Sequence, residues 1–225
     1  MARKRRSFWR DNGLSLVAAA CFLLLLVGQT LTGWHVYNTD QAEHGDTPVS
    51  LAEYLSTGHF GEATFENWES EFLQMAAYVF LTVFLFQRGS SESKDPDGDN
   101  PQDEDPERHR NDPDAPGPVR KGGLALKLYK HSLSLALLAL FLVSFVGHAL
   151  TGHAQHASEQ VEHGQRPDTL VDYVTGSQFW FESLQNWQSE FLAVLAIVLL
   201  SVWLREYGSP ESKPVHAPHH SHTGE

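Results

Sequence analysis

Two stretches of 18 residues, 14–31 and 133–150, contain no Asp, Glu, Lys or Arg. An uncharged helix of that length rises about 27 Å and matches the roughly 30 Å hydrocarbon core of a bilayer, so each reads as a membrane-spanning helix. Two shorter apolar runs, 72–86 and 191–204, cover only about 22 Å each and must borrow residues from the polar motif before them to cross. A run this short also suits a buried core helix of a soluble protein. The two-by-two recurrence of all four runs with matching flanks favours the membrane. Mean hydropathy over the whole chain is nevertheless negative, because very polar segments separate the runs.

The recurrence is a register, not a general likeness. Displaced by 119, residues 14–94 lie on 133–213 without a gap, and 35 of the 81 paired positions are identical. The identities include loops as well as spans: EHG at 43–45 and 162–164, and the motif NWxSEFL at 67–73 and 186–192. Two copies are too few for a solenoid and describe an internal pseudo-dimer.

Positive charge orients the chain. Arg3, Lys4, Arg5, Arg6 and Arg10 precede the first run, and no Lys or Arg occurs between Arg10 and Arg88. In the second copy Lys121, Lys127 and Lys130 precede the third run, Arg205 follows the fourth, and Arg166 alone lies between. Basic residues collect on the cytoplasmic side, which predicts both termini and the central linker inside and two acidic lobes outside. A cleaved signal peptide is the competing reading of the N-terminus, and RRSF at 5–8 faintly resembles a twin-arginine signal. Against it, the apolar run is long and its copy lies in mid-chain. The one cysteine, Cys21, excludes an internal disulfide and a cysteine zinc site.

Small residues at Gly28 and Thr32, repeated at Gly147 and Thr151, let a second helix approach. Gln29 and its counterpart His148 are expensive against lipid and are expected to face other helices. Beyond Gly33 no breaker occurs until Gly45, so the first helix is expected to continue outward by about three turns, with Gly45 and Gly164 as C-caps. On these extensions Asp40 and His44 are four apart, as are Glu159 and His163, and His156 precedes Glu159 by three. Such spacing puts the side chains on one helix face, and a His and carboxylate set of this kind can hold a zinc, copper or iron ion. Solvated histidines on an acidic helix are the alternative. After Pro48 and Pro167, SLAE at 50–53 reads as a capping box and TLVD at 169–172 as its variant, opening short amphipathic helices at the membrane surface.

The NWxSEFL motif supplies the other candidate residues: Asn67, Trp68 and Glu71, with Asn186, Trp187 and Glu190. Glu71 and Glu190 open the short spans, where burial would favour the protonated form of a carboxylate and make it a cation or proton site. The polar stripe Asn67, Glu71, Gln74, Tyr78, Thr82 becomes Asn186, Glu190, Ala193, Ile197, Ser201 in the second copy. Polarity that stops there argues against a conduction path and for a cluster that locks helix ends together. Residues 90–119 hold ten acidic residues, three basic ones and six prolines, a composition expected to be disordered, as is the histidine-rich tail.

The segments FWRDNGLSLV, HGDTPVSLAEYLSTGHF and ATFENWESEFLQMAAYVFLTVFLFQRGSSESKDPD, with the matching second half, resemble an uncharacterised family of small bacterial membrane proteins. The resemblance implies a four-helix membrane protein and brings no activity or catalytic residue.

The expected organisation is all-α: an integral membrane four-helix bundle of two tandem helical-hairpin repeats, parallel repeats related by a pseudo-twofold along the membrane normal. A basic N-terminus at 1–13 leads into the first repeat, 14–88, with spans at about 14–34 and 68–87 around an outer lobe at 35–67. A linker at 89–122 joins it to the second repeat, 123–207, with spans at about 131–152 and 187–205 around a lobe at 153–186, and a tail at 208–225. The lobes hold fourteen carboxylates, eight at 35–71 and six at 151–190, and should concentrate cations. The expected function is a non-enzymatic structural or partner-binding module of a bacterial inner membrane, with no catalytic residue and no resident cofactor. Its partners would be the lipid bilayer and a further copy or another membrane protein, not nucleic acid. One alternative is cation or transition-metal handling through the outer His and carboxylate residues. Another is a haem or quinone oxidoreductase, which His148 without a histidine counterpart disfavours.

Overall fold

The computed structural model describes residues 8–219 and Ser221. Arg3 to Arg6 of the basic N-terminus and His220 and His222 of the tail lie outside the described residues. The described chain is helical without strands: α1 (Phe8–His44), α2 (Leu51–Tyr54), α3 (Gly58–Leu81), short 3-10 turns at Pro101–Asp103 and Pro106–His109, α4 (Gly117–Lys121), α5 (Gly123–Lys130), α6 (Ser132–Glu162), α7 (Leu170–Thr175) and α8 (Ser177–Trp203). Three of these, α1, α6 and α8, are long and apolar enough to cross a membrane. None of the apolar stretch of α1 is buried, and little of those of α6 and α8. Helix α3 is 24 residues long, but four glutamates in its first fourteen residues dilute its apolar character.

Helix ends follow local chemistry. Helix α1 does run outward to His44, where Gly45 takes φ +86°. Asp46 N–H then bonds Gln41 C=O at 2.8 Å and Gly45 N–H bonds Ala42 C=O at 3.2 Å, the pairing of a Schellman cap. Helix α6 ends the same way, with Gly164 at φ +68° and bonds from Gln165 to Gln160 (2.7 Å) and Gly164 to Val161 (2.9 Å). Helix α3 stops at Leu81, short of the expected 87. There Thr82 Oγ1 donates to Val79 C=O at 3.0 Å and the next N–H groups of Val83 and Phe84 turn to three-residue bonds, the competition that hydroxyl side chains set against the helical ladder.

By internal packing the chain divides into two compact units, Met1–Thr64 with His148–Tyr173, and Phe65–Gly147 with Val174–Glu225. In the first unit, Ser50 and Glu53 close a capping box on α2 (2.7 and 3.3 Å), and Thr169 and Asp172 do the same for α7. Those bonds, led by the Ser50 and Thr169 side chains, hold both carboxyls below their usual range. Each short helix plants a tyrosine on a glycine: Tyr54 on Gly33 and Tyr173 on Gly152, both tyrosines 2% exposed. The loops before them are tied to the long helices. Trp34 Nε1–H donates to Val49 C=O at 2.8 Å, and His153 Nε2 meets Asp168 C=O at 2.9 Å. The start of α3 rests on α6, where a Cβ at Gly58 would lie 2.5 Å from Gln155 N.

The second unit takes in the rest of α3, the acidic segment with α4 and α5, the first half of α6, and α8. Phe65 lies against Gly147, where a side chain would meet its ring at 2.6 Å. Phe179 is fully buried beside Phe145 (5.4 Å between centroids). The acidic segment is tied in at its start: Ser90 is fully buried and shares a 2.7 Å hydrogen bond with Ser201, and Tyr78 OH donates to Glu92 Oε2 at 2.8 Å. Gln87 N–H to Ser93 Oγ (2.8 Å) and Glu206 N–H to Ser212 Oγ (2.9 Å) form matching turns 119 residues apart, with Gly89 and Gly208 at φ +83° and +85°.

Candidate functional site

Two groups of side chains carry the residues that the sequence singles out. The first is at the capped ends of α1 and α6, within the first unit. Asp40 and His44 are one turn apart on α1, and one ligand atom each of Asp40, His44 and Glu162 lie within 4.8 Å of one another; all three residues are exposed. The His44 and His163 rings are neighbours, set edge to face at 66° with centroids 6.4 Å apart. Both are oriented by the same bond: His44 Nδ1 to Asp40 C=O at 2.9 Å and His163 Nδ1 to Glu159 C=O at 2.7 Å. That carbonyl contact is the largest cause holding the His44 imidazolium above its usual pKa, with the carboxylates of Asp40, Glu162 and Glu43 adding to it.

The other metal candidates go elsewhere. His156 Nε2 is 3.5 Å from Asp168 Oδ2 and its ring packs on Tyr173 (5.5 Å). The Glu159 carboxylate accepts from Gln155 Nε2 at 2.8 Å. Thus Asp40, His44 and His163 come together, joined by Glu162, while His156 and Glu159 do not bring their side chains to the same place. His148 is fully buried, as expected of a polar residue on a spanning helix, and its ring lies near the Glu62 carboxylate, within 4.8 Å. Gln29 is exposed, contrary to the inward placement expected of it. A polar residue is turned inward only where a neighbouring helix covers it, and no side chain reaches within 4 Å of a Cβ at adjacent Gly28.

The second group is the motif, within the second unit. Asn186 Nδ2 donates to Glu66 Oε1 at 2.6 Å and Trp187 Nε1–H to Glu69 Oε1 at 2.9 Å. Glu69 and Ser70 are buried; Glu71 and Asn67 are exposed, and Trp68 is half-buried. Helices α3 and α8 are therefore joined through Glu66 and Glu69 on one side and Asn186 and Trp187 on the other. Glu66 and Glu69 escape a search for matched positions, since their counterparts are Gln185 and Gln188. No nucleophile with a base is among these residues; the arrangement binds helices to one another and offers imidazole and carboxylate donors to a cation.

The chain belongs to the family described as a domain of unknown function (DUF6766), whose model matches residues 5–225. That match takes in both copies of the motif, the acidic segment and the tail. No curated protein and no solved structure matches the chain.

Proposed function

We propose that this family member is a non-enzymatic, multi-pass protein of a bacterial inner membrane that acts by binding another spanning helix, and that its first partner is a second copy of itself. In this reading α1, α3, α6 and α8 form a four-helix bundle of two tandem hairpins related by a pseudo-twofold along the membrane normal. Both termini and the acidic linker face the cytoplasm. Three apolar helices, the basic residues at their inner flanks and the recurrence of caps, turns and tyrosine–glycine contacts at a spacing of 119 support this arrangement. At 24 residues α3 is about 36 Å long, enough to cross with its polar end at the interface.

The observation that carries the partner reading is the state of α1. Its apolar stretch is entirely unburied, it exposes Gln29, and Gly28 meets nothing within 4 Å. A lone glutamine facing lipid is costly, and a glycine beside it is the usual seat of a neighbouring helix. The counterpart Gly147 is filled by Phe65, while Leu184, the counterpart of Phe65, is 53% exposed. A second copy offers Leu184 to Gly28 as the same kind of contact. Cys21 is exposed and is first replaced by Ser. In that background, copies carrying Gly28→Cys and copies carrying Leu184→Cys, expressed together with different tags, should form a mixed dimer in native membranes on mild oxidation or with a short bismaleimide. A chain that stays monomeric in bilayers by cross-linking and by single-molecule bleaching would sink the self-association. Labelling by a membrane-impermeant maleimide, in a Cys21→Ser background, should reach Asp46→Cys from outside and Asp97→Cys only after lysis; the reverse pattern would overturn the orientation.

A further inference from the structure

We propose that the capped ends of α1 and α6 form a binding site for one divalent transition-metal ion, held by Asp40, His44, Glu162 and His163. The ion would take one imidazole from each repeat, since His44 and His163 stand at equivalent positions 119 residues apart. Their rings lie edge to face at 6.4 Å between centroids, and Asp40, His44 and Glu162 already hold donor atoms within 4.8 Å of each other. An ion with bonds near 2.1 Å sets its donors about 3.4 Å apart, so it would draw these exposed side chains closer than the 4.8 Å within which three of them stand.

Three features favour an ion of this class. A carbonyl oxygen only accepts, so the bonds of His44 Nδ1 to Asp40 C=O and His163 Nδ1 to Glu159 C=O put the proton on Nδ1 in the neutral rings. Nε2 is left with the lone pair that a metal needs, and a backbone partner on the other nitrogen is how ligating histidines are oriented. Two imidazoles with two carboxylates suit zinc, copper or nickel better than calcium or magnesium, which prefer oxygen alone. Both helices direct their negative ends here, and the sequence around the site has no Lys or Arg from 11 to 87 and only Arg166 from 131 to 204. The ion would join the outward ends of α1 and α6. This inference does not depend on self-association through α1.

The test uses the full chain in mild detergent, stripped with EDTA, with His216, His219, His220 and His222 changed to Asn so that the tail does not compete. Calorimetric titration with zinc chloride should give one ion per chain, and zinc should raise the melting temperature. His44→Asn, His163→Asn and Glu162→Gln should each weaken zinc binding at least tenfold and remove the thermal shift, while His131→Asn, a residue far from these helix ends in sequence, should change neither. The ligands are exposed, so the variants should keep the helical circular dichroism of the parent. Zinc affinity unchanged in the His44→Asn, His163→Asn double variant would overturn the site. So would calcium binding as tight as zinc, which would mark a merely acidic surface, or the absence of any zinc heat.

Discussion

Trp187 donates its indole N–H to Glu69 at 2.9 Å across α8 and α3, and the glutamate it meets is fully buried. A buried carboxylate that loses a donor carries the desolvation cost of the unmade bond, about 1–3 kcal/mol and more for a charge. Trp187→Phe keeps most of the apolar area and removes the N–H, so it should lower the thermal stability of the detergent-solubilised protein by that amount. Glu71 is exposed but shares a side-chain hydrogen bond with Glu190 on α8; Glu71→Gln keeps a hydrogen-bonding group there and relieves the repulsion of like charges, so it should not fall more than about 0.5 kcal/mol below the parent. Melting curves from circular dichroism separate the two. Equal losses would mean that the Glu71–Glu190 contact holds the helices as strongly as the Trp187–Glu69 bond and that burial of Glu69 adds nothing.

That contrast also shows what could be read from the chain without its structure. Apolar runs, the outward extension of α1, the glycine caps at Gly45 and Gly164 and the capping boxes at Ser50 and Thr169 depend on neighbours a few residues away, and they were legible. Glu69 was not, because identity between the copies points to Glu71 and Glu190. The residues that meet Asn186 and Trp187 occupy positions where the copies differ, as contacts between unlike faces require. Ser90, buried against Ser201, carries no local signal either: its segment is polar and acidic, and its partner is 111 residues away. The metal candidates were legible as a set on each helix but not in their division, since the loop that brings Asp168 to His156 decides which of them face His44.

Gly33 and Gly152 have no room for a side chain. A Cβ at Gly33 would overlap the Tyr54 hydroxyl, and one at Gly152 the Tyr173 hydroxyl. Gly33→Ala and Gly152→Ala should each cost about 1–3 kcal/mol, the range of overpacking. Gly28→Ala should cost nothing and can stabilise the isolated chain by up to about 1 kcal/mol through helix propensity. Chemical or thermal denaturation in detergent, with all three variants side by side, checks the order.

His44 and His59 should titrate in opposite senses. His59 shares a 3.1 Å hydrogen bond with Tyr54 and packs against Tyr37; burial lowers its pKa below the usual 6.5, despite Asp40 and Glu159, which pull it upward. A lowered histidine pKa favours the neutral form in the fold. Its stabilising contribution is present above about pH 6.5 and is lost as pH falls through the folded value. His44, with its pKa raised by the Asp40 carbonyl, contributes below about pH 6.5 and loses that contribution as pH rises through its folded value. Imidazole proton NMR should show His44 titrating at the higher pH of the two. His59→Gln should make the stability less sensitive to acid; a His59 that titrates above His44 would contradict its burial.

Lys94 and Lys213 are the same residue at equivalent positions with different surroundings. Lys94 Nζ lies over the Phe86 ring at 5.6 Å and reaches the Asp103 carboxylate at 2.7 and 2.9 Å, an ion pair whose acidic partner is exposed and screened by solvent. Lys213 is 1% exposed, its amine directed at the carbonyls of Pro218 (3.5 Å), His219 (2.7 Å) and Ser221 (3.2 Å), and burial pushes its pKa below the usual lysine range. Removing the ammonium takes the donor from three carbonyls at once. Lys213→Met should therefore release the tail from its turn and speed its limited proteolysis several-fold, without moving the main thermal transition. Lys94→Met should leave cleavage in the acidic segment nearly unchanged, because prolines and the buried Ser90 hold the start of that segment independently of the ion pair. Comparable acceleration in both variants would show that the two lysines do equivalent work and that the difference in burial has no energetic weight.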